Sequence, residues 1–133
     1  MIELFKNMSL VTHQFVVRQE VYKAFQICSG DMNPLHTDLE FAKSKGFPEC
    51  VMYGNIINAF VSTLIGMCLP SPDVIIHSQD IQYKKPVFMN DVLDAEIRVE
   101  EVFESVNTVE LKFTFRNQYS QVVSKGHVQI GVI

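Results

Sequence analysis

The spacing of apolar residues changes near the middle of the chain, from mostly helical before residue 70 to mostly strand-like after it. A short segment rich in β-branched and aromatic residues, 10–17, predicts a first strand. Helical spacing begins at Arg18, and Gly30 is well placed to end that helix. The apolar positions of this predicted helix are Val21, Ala24, Phe25 and Cys28.

Residues 54–68 predict a longer helix in which apolar side chains cover nearly every face. A helix that is apolar all round is expected to be buried all round, and in so short a chain this requires a sheet wrapped around it. One narrow polar stripe interrupts the pattern, because Asn55, Asn58 and Ser62 fall at i, i+3 and i+7. Between the two helices, Asp38 can cap a short helix that stops near Gly46.

Alternating segments follow the turn at residues 69–73 and are separated by turn-forming residues. They predict four antiparallel strands, over residues 74–87, 92–102, 108–116 and 122–132. Helices that are segregated from a run of strands define the α+β class. We therefore predict one domain over residues 1–133 with the hotdog fold, a curled antiparallel β-sheet wrapped around a long central apolar helix.

Composition narrows the possible partners. The chain has 133 residues and a net charge of -4, with 11 basic against 15 acidic residues, so we expect no nucleic acid partner. The N-terminus does not resemble a signal peptide, and the longest apolar segment, 56–69, is too short and too polar to span a bilayer. We therefore expect no membrane association and a cytoplasmic location. The 3 cysteines form no close pair, which fits reduced thiols.

Residues 29–36 contain the strongest candidate chemistry, a carboxylate and an imidazole on one constrained loop. Pro34 fixes its own φ and keeps Asn33 out of the helical region. Histidine exchanges protons near neutral pH, and a neighbouring carboxylate can share the same water. Asp31 and His36 are therefore a candidate acid–base pair, although such residues also cap turns. No histidine is spaced with cysteines or carboxylates as in a metal site.

The segment 25–54 resembles the MaoC-type (R)-specific enoyl-CoA hydratases, and the resemblance extends over nearly the whole chain. In that family an Asp-x-Asn-Pro-x-His run follows Ser-Gly, as in residues 29–36, and a glycine, here Gly54, opens the central helix. The strand 82–87 also resembles the family pattern. Two positions depart from it, since Tyr53 stands where the family usually has His and Asn55 where it usually has Met.

This resemblance implies a hydro-lyase that adds water to 2-enoyl thioesters of coenzyme A or acyl carrier protein, or removes it, without a cofactor. It implies Asp31 and His36 as the catalytic pair but does not fix which residue performs which step. We expect His36 to take a proton from water while Asp31 orients that water and helps to protonate C2. The backbone N–H of Gly54 is the candidate oxyanion donor, because unpaired amides point outward at a helix start; a plain helix-start glycine is the alternative.

Further polar residues are candidates for positioning substrate or water, each with a structural alternative. Asn33 either positions the loop or water, and Tyr53 either packs or takes part in the site. Ser62 falls where the family faces the acyl pocket or the catalytic Asp, with Asn58 one turn earlier. Both of these could instead be small residues that allow close approach of the sheet. The complete set of positioning candidates is Asn33, Tyr53, Asn55, Asn58 and Ser62.

Two other functions remain open for a chain with this pattern. A hotdog thioesterase would usually have a carboxylate on its central helix, and residues 54–68 contain none. A non-catalytic acyl-thioester-binding module is kept open by the departures at Tyr53 and Asn55. Whichever function applies, we expect at least a homodimer, because a single curled sheet leaves open β edges that invite pairing. The two sheets would join edge to edge, with the acyl tunnel near the subunit boundary.

Overall fold

The computed structural model describes residues 1–133, which form five helices, one short 3-10 turn and five strands. The helices are α1 (Glu3–Lys6), α2 (Gln19–Ser29), α3 (Pro34–Thr37), α4 (Leu39–Ser44) and α5 (Ile56–Met67), and the 3-10 turn is Glu104–Val106. The strands are β1 (Val11–Val16), β2 (Val74–Tyr83), β3 (Val92–Phe103), β4 (Thr108–Arg116) and β5 (Val122–Val132).

All five strands form one antiparallel sheet in the order β1-β3-β4-β5-β2, which confirms the predicted α+β class and the curled hotdog sheet. Helix α5 contributes six buried residues to the core, and the long strands contribute alternating apolar residues that face it. Strand β4 illustrates the period, because every second residue from Val109 to Phe115 is buried. The sheet core includes Leu93, Ile97, Val109, Leu111, Phe113, Phe115 and Ile130.

The prediction that the long helix is buried all round is wrong for the single chain. Ala59, Ser62 and Gly66 are exposed on α5, and Met67 at its end is 81% exposed. The reason is geometric, since the sheet covers one side of α5 and the polar stripe marks the other side. The helix is also shorter than predicted, because it begins at Ile56, after Gly54 and Asn55.

Two segments differ from the sequence prediction. Residues 1–8, for which no element was predicted, contain α1, which inserts the fully buried Phe5 into the core. The strand predicted over 74–87 ends at Tyr83 and has an irregularity in its register near His77. Pro86 lacks an N–H, so a strand ladder cannot continue through it.

Helix α2 packs through part of its predicted apolar side. Val21, Tyr22 and Phe25 are half-buried and pack against the core, whereas Ala24 and Cys28 are exposed. The helix ends as predicted at Gly30, whose left-handed backbone (φ 68°) turns the chain sharply. The loop that contains Asp31 begins directly after this turn.

The loop after α2 contains a helical turn that the sequence did not predict. The Asn33 side chain accepts a hydrogen bond from the Leu35 N–H at 2.9 Å and so caps α3, whose first residue is Pro34. Asp38 caps α4 in the predicted way, by accepting from the Phe41 N–H at 3.2 Å. His36 therefore lies on a capped turn. None of the helices is long and apolar enough to cross a membrane.

The backbone of Gly30 gives a test of how the site loop is held. Gly30→Ala should lower the free energy of unfolding by about 1 kcal/mol, because a left-handed conformation is unfavourable for residues with a Cβ. An added Cβ at this position meets no atom within 4 Å, so the loss reflects the backbone alone. Urea unfolding of Gly30→Ala and of Gly30→Asn measures it. Asn tolerates this conformation, so the Asn variant should lose less, and equal stability of Gly30→Ala and wild type would contradict the assignment.

Candidate active site

The imidazole of His36 is fixed by a backbone carbonyl. Its Nδ1 lies 2.7 Å from the carbonyl oxygen of Val51. A carbonyl can only accept, so Nδ1 carries the proton and donates it, which leaves Nε2 as the basic nitrogen. The side chain is 15% exposed, so Nε2 can meet a ligand while the ring stays packed.

The carboxylate of Asp31 is oriented by its own loop. One oxygen, Oδ1, accepts from the Asn33 N–H at 2.9 Å, and the Asp31 N–H donates to Ser29 Oγ at 3.1 Å. The other oxygen, Oδ2, lies 3.9 Å from Nε2 of His36. This gap is too long for a direct hydrogen bond and suits a bridging water.

Tyr53 contacts both members of this pair. Its hydroxyl donates to the backbone carbonyl of Asp31 at 2.6 Å, and its ring centroid lies 4.2 Å from that of His36. Gln26 of α2 donates in turn to the Tyr53 hydroxyl at 3.3 Å. Because Tyr53 is only 1% exposed, these contacts are shielded from bulk solvent. Tyr53 therefore packs in the core and contacts both members of the candidate pair, and a role in positioning them stays a prediction.

Tyr22 is a supporting residue that the sequence did not identify. Its hydroxyl lies 2.6 Å from the His36 carbonyl oxygen and 3.1 Å from the Val51 carbonyl oxygen. Burial raises the pKa of the Tyr22 hydroxyl well above its ordinary value, so it remains a donor at neutral pH. No sequence pattern points to this contact, because the acceptors of the Tyr22 hydroxyl are backbone carbonyls distant in the chain.

Two adjoining cavities meet at His36. An outer cavity of about 280 Å³ is lined by Phe25, Ser29, Asp31, His36, Tyr53, Gly54, Asn55 and Tyr83. An inner, mainly apolar cavity of about 210 Å³ lies beside it, with walls that include Met52, Ile57, Val87 and Val123. His36, Gly54 and Tyr83 line both. The outer cavity thus contains the polar candidate pair, and the inner cavity is a mainly apolar slot beside it.

Gly54 contributes a free amide to this junction. Its N–H donates to no protein group, and the first helical residue of α5 follows two positions later. A Cβ at Gly54 would lie 3.2 Å from Cε1 of Tyr83, closer than an ordinary contact. Glycine therefore keeps the amide accessible at the helix start, where the partial positive charge of unpaired N–H groups favours negative charge.

The remaining sequence candidates fall into two groups. Asn55 lines the outer cavity, and its side-chain oxygen accepts from Asn58 at 2.8 Å and from the Tyr83 hydroxyl at 3.3 Å. Asn58 and Ser62 line neither cavity, and Asn58 also accepts from Gln79 at 2.6 Å. The Asn33 side chain serves as the cap of α3. No group of three or more His, Cys, Asp or Glu side chains could hold a metal ion.

The curled sheet, the helix on one of its sides and the Asp31–His36 pair beside the start of α5 are the features of a hotdog protein with a candidate acid–base site. The chain belongs to the family of the MaoC like domain, whose model matches residues 7–119. The solved (R)-hydratase from A. caviae, described as involved in PHA biosynthesis, superposes with a TM-score of 0.87 at 26% identity over 94% of this chain and 95% of that one.

Curated relatives carry related names. The chain is 37% identical over 76 residues to the (R)-specific enoyl-CoA hydratase of Aeromonas caviae, covering 57% of each protein. It is 28% identical over 114 residues to a mitochondrial 3-hydroxyacyl-[acyl-carrier-protein] dehydratase of Arabidopsis thaliana, covering 84% of this chain and 68% of that protein. The chain thus spans little more than half the length of the first of these relatives.

The hydrogen bond from His36 to Val51 predicts the tautomer of the neutral imidazole. Long-range ¹H–¹⁵N correlation spectra of ¹⁵N-histidine protein should show His36 protonated at Nδ1 and bare at Nε2. His13 is the internal comparison. This histidine of β1 is exposed, and its Nδ1 lies 3.8 Å from Sγ of Cys68. Protonation of neutral His36 at Nε2 would contradict the assignment of Nε2 as the base.

Proposed function

We propose that this protein is a hydratase or dehydratase of 2-enoyl and (R)-3-hydroxyacyl thioesters. The observation that carries the proposal is the convergence of three groups on the outer cavity. These groups are Nε2 of His36, Oδ2 of Asp31 and the free N–H of Gly54. They match the three needs of the reaction, which are a base for water, a proton for C2 and a donor for the thioester oxygen.

The geometry supports the following sequence of steps. A water between Nε2 and Oδ2 loses a proton to His36 as its oxygen bonds to C3 of the enoyl group. The electron pair of the C2–C3 double bond moves toward the thioester oxygen, which accepts a hydrogen bond from Gly54. A proton then returns from the pair to C2, and the thioester carbonyl re-forms. Because one water site serves both transfers, addition occurs on one face, and the reverse sequence dehydrates the 3-hydroxyacyl thioester.

The slot fits one slender arm of such a substrate, either the acyl chain or the pantetheine arm. The names of the relatives include both coenzyme A and acyl carrier protein thioesters, so both carriers belong to the proposal. Proton transfers and a hydrogen bond complete this chemistry, and the proposed reaction therefore uses no cofactor. A cytoplasmic location remains a prediction.

The thioesterase is the second enzymatic candidate, and the structure gives it less support. Helix α5 carries no Asp or Glu, so no carboxylate projects from the helix beside the thioester position. The non-catalytic binding module is disfavoured by the geometry of the pair, because both Asp31 and His36 are individually oriented by backbone hydrogen bonds. Binding alone does not require such an arrangement.

The proposal predicts loss of hydration in variants of the pair. Asp31→Asn and His36→Gln should lower kcat for crotonyl-CoA by about 100-fold to 10,000-fold, the usual contribution of a general acid or base. Loss of the enoyl-thioester absorbance measures the reaction, and it should be repeated with longer chains and with crotonyl-acyl carrier protein.

A remote acid–imidazole pair provides the matched control. Nε2 of His127 on β5 lies 3.2 Å from Oε2 of Glu100 on β3, and neither residue lines the two cavities. Glu100→Gln and His127→Gln should keep the wild-type rate. If folded wild type consumes none of these thioesters, the hydratase proposal fails. Equal rates in all five proteins would refute the site, and release of free thiol would favour the thioesterase.

We also propose that two copies join through β2. This strand pairs only with β5, leaves its other edge open, and contains no buried residue. Ile75 and Ile76 are 52% and 41% exposed on it. Exposed apolar edge strands favour pairing. Tyr83 at the end of β2 lines both cavities, so this interface would lie next to the site.

Light scattering at micromolar concentration should therefore give at least twice the 15.2 kDa mass of one chain. Ile76→Lys should shift the protein toward monomer, because the interface would bring the new charges of the two copies close together. Val106→Lys is the control, since Val106 is 66% exposed on the 3-10 turn outside β2. A monomeric wild type would contradict the dimer.

A further inference from the structure

We propose that Tyr22 is a positioning residue for His36, and that its hydroxyl keeps Nε2 aligned for proton transfer; the catalytic part of this inference depends on the proposed function. Tyr22 lies on α2, outside both cavities, and touches no position where substrate would lie. Its influence would act through the backbone groups that hold the imidazole.

The Tyr22 hydroxyl makes two short contacts, and one of its two partners also binds the His36 ring. Its oxygen lies 2.6 Å from the carbonyl oxygen of His36 and 3.1 Å from that of Val51. The second carbonyl is also the acceptor for Nδ1 of His36, at 2.7 Å. One hydroxyl therefore touches both the peptide that carries His36 and the group that fixes its ring. Displacement of either would move Nε2.

The Tyr22 ring holds this hydroxyl in place. Its centroid lies 5.0 Å from the ring of Tyr53, which in turn packs against His36 and donates to the carbonyl of Asp31. Tyr22 and Tyr53 thus pack against each other while they contact the two members of the pair. Phenylalanine at position 22 would keep the ring contacts and remove only the hydroxyl.

The hydroxyl also fits the change in charge during the reaction. A tyrosine has one proton to donate, and here two carbonyl acceptors lie within reach. When Nε2 gains a proton, the imidazolium Nδ1–H becomes a stronger donor and its bond to the Val51 carbonyl strengthens. Donation by Tyr22 to the His36 carbonyl leaves the Val51 carbonyl available to the ring at that moment. Without the hydroxyl, the peptide of His36 loses its 2.6 Å contact and the ring loses its alignment.

The kinetic consequence separates positioning from binding. Tyr22→Phe should lower kcat for crotonyl-CoA between about 10-fold and 100-fold, the range expected for misplacement of a catalytic group by up to about 1 Å. KM should stay within about twofold, because Tyr22 lines neither cavity. Tyr119→Phe is the matched control, since Tyr119 is 73% exposed and its hydroxyl makes no hydrogen bond. The control should keep both constants.

A spectroscopic measurement tests the inference without any substrate. The His36 Nδ1–H proton resonance, observed in both proteins at the same pH and temperature, should move in Tyr22→Phe and stay in place in Tyr119→Phe. An unmoved resonance in folded Tyr22→Phe overturns the proposal, even where kcat falls. An unchanged kcat, or a fall matched by an equal rise in KM, overturns it as well. A moved resonance in a protein whose wild type consumes no enoyl thioester supports the positioning of His36 and refutes the hydratase instead.

Discussion

The hydrogen bond from Nδ1 of His36 to the carbonyl of Val51 is the contact on which the candidate site depends. It fixes the tautomer, aims Nε2 at Asp31, and joins the motif loop to the segment that leads into α5. A second bond parallels it, because the Val51 N–H donates to the Leu35 carbonyl at 3.1 Å. The loop and the lead-in are therefore held side by side, and the geometry of the candidate site follows from their register.

Residues 51–54 connect this contact to the rest of the fold. The Met52 N–H donates to the Val87 carbonyl at 2.8 Å, which ties the segment to the chain beyond β2. Tyr53 contacts both Asp31 and His36, and Gly54, whose N–H donates to no protein group, lines both cavities. Four successive residues thus contact His36, line the inner cavity, contact Asp31 and border both cavities. A small displacement of this segment would change all four together.

Local features of the site were predictable from sequence, and long-range contacts were not. Gly30 and Asp38 act at distances of a few residues, so their roles as helix end and helix cap follow from residue type alone. The Asp31–His36 pair is identifiable because both residues lie on one loop. Tyr22 is different, since its acceptors are carbonyls and any residue type could supply them. The predicted burial of α5 was too extensive, because apolar composition alone does not show which side of the helix the sheet covers.

The two departures from the family pattern, Tyr53 and Asn55, lie beside the candidate pair, and Asp31 and His36 themselves match the pattern. Tyr53 is long enough to reach the Asp31 carbonyl with its hydroxyl while its ring packs against His36, so it holds the pair that the pattern retains. Asn55 accepts from the Tyr83 hydroxyl, and the Tyr83 ring borders both cavities. Asn55 therefore contacts a residue that borders both cavities. We expect the change at position 53 to bear on alignment and the change at position 55 on which thioesters enter, because each residue contacts a different part of the site.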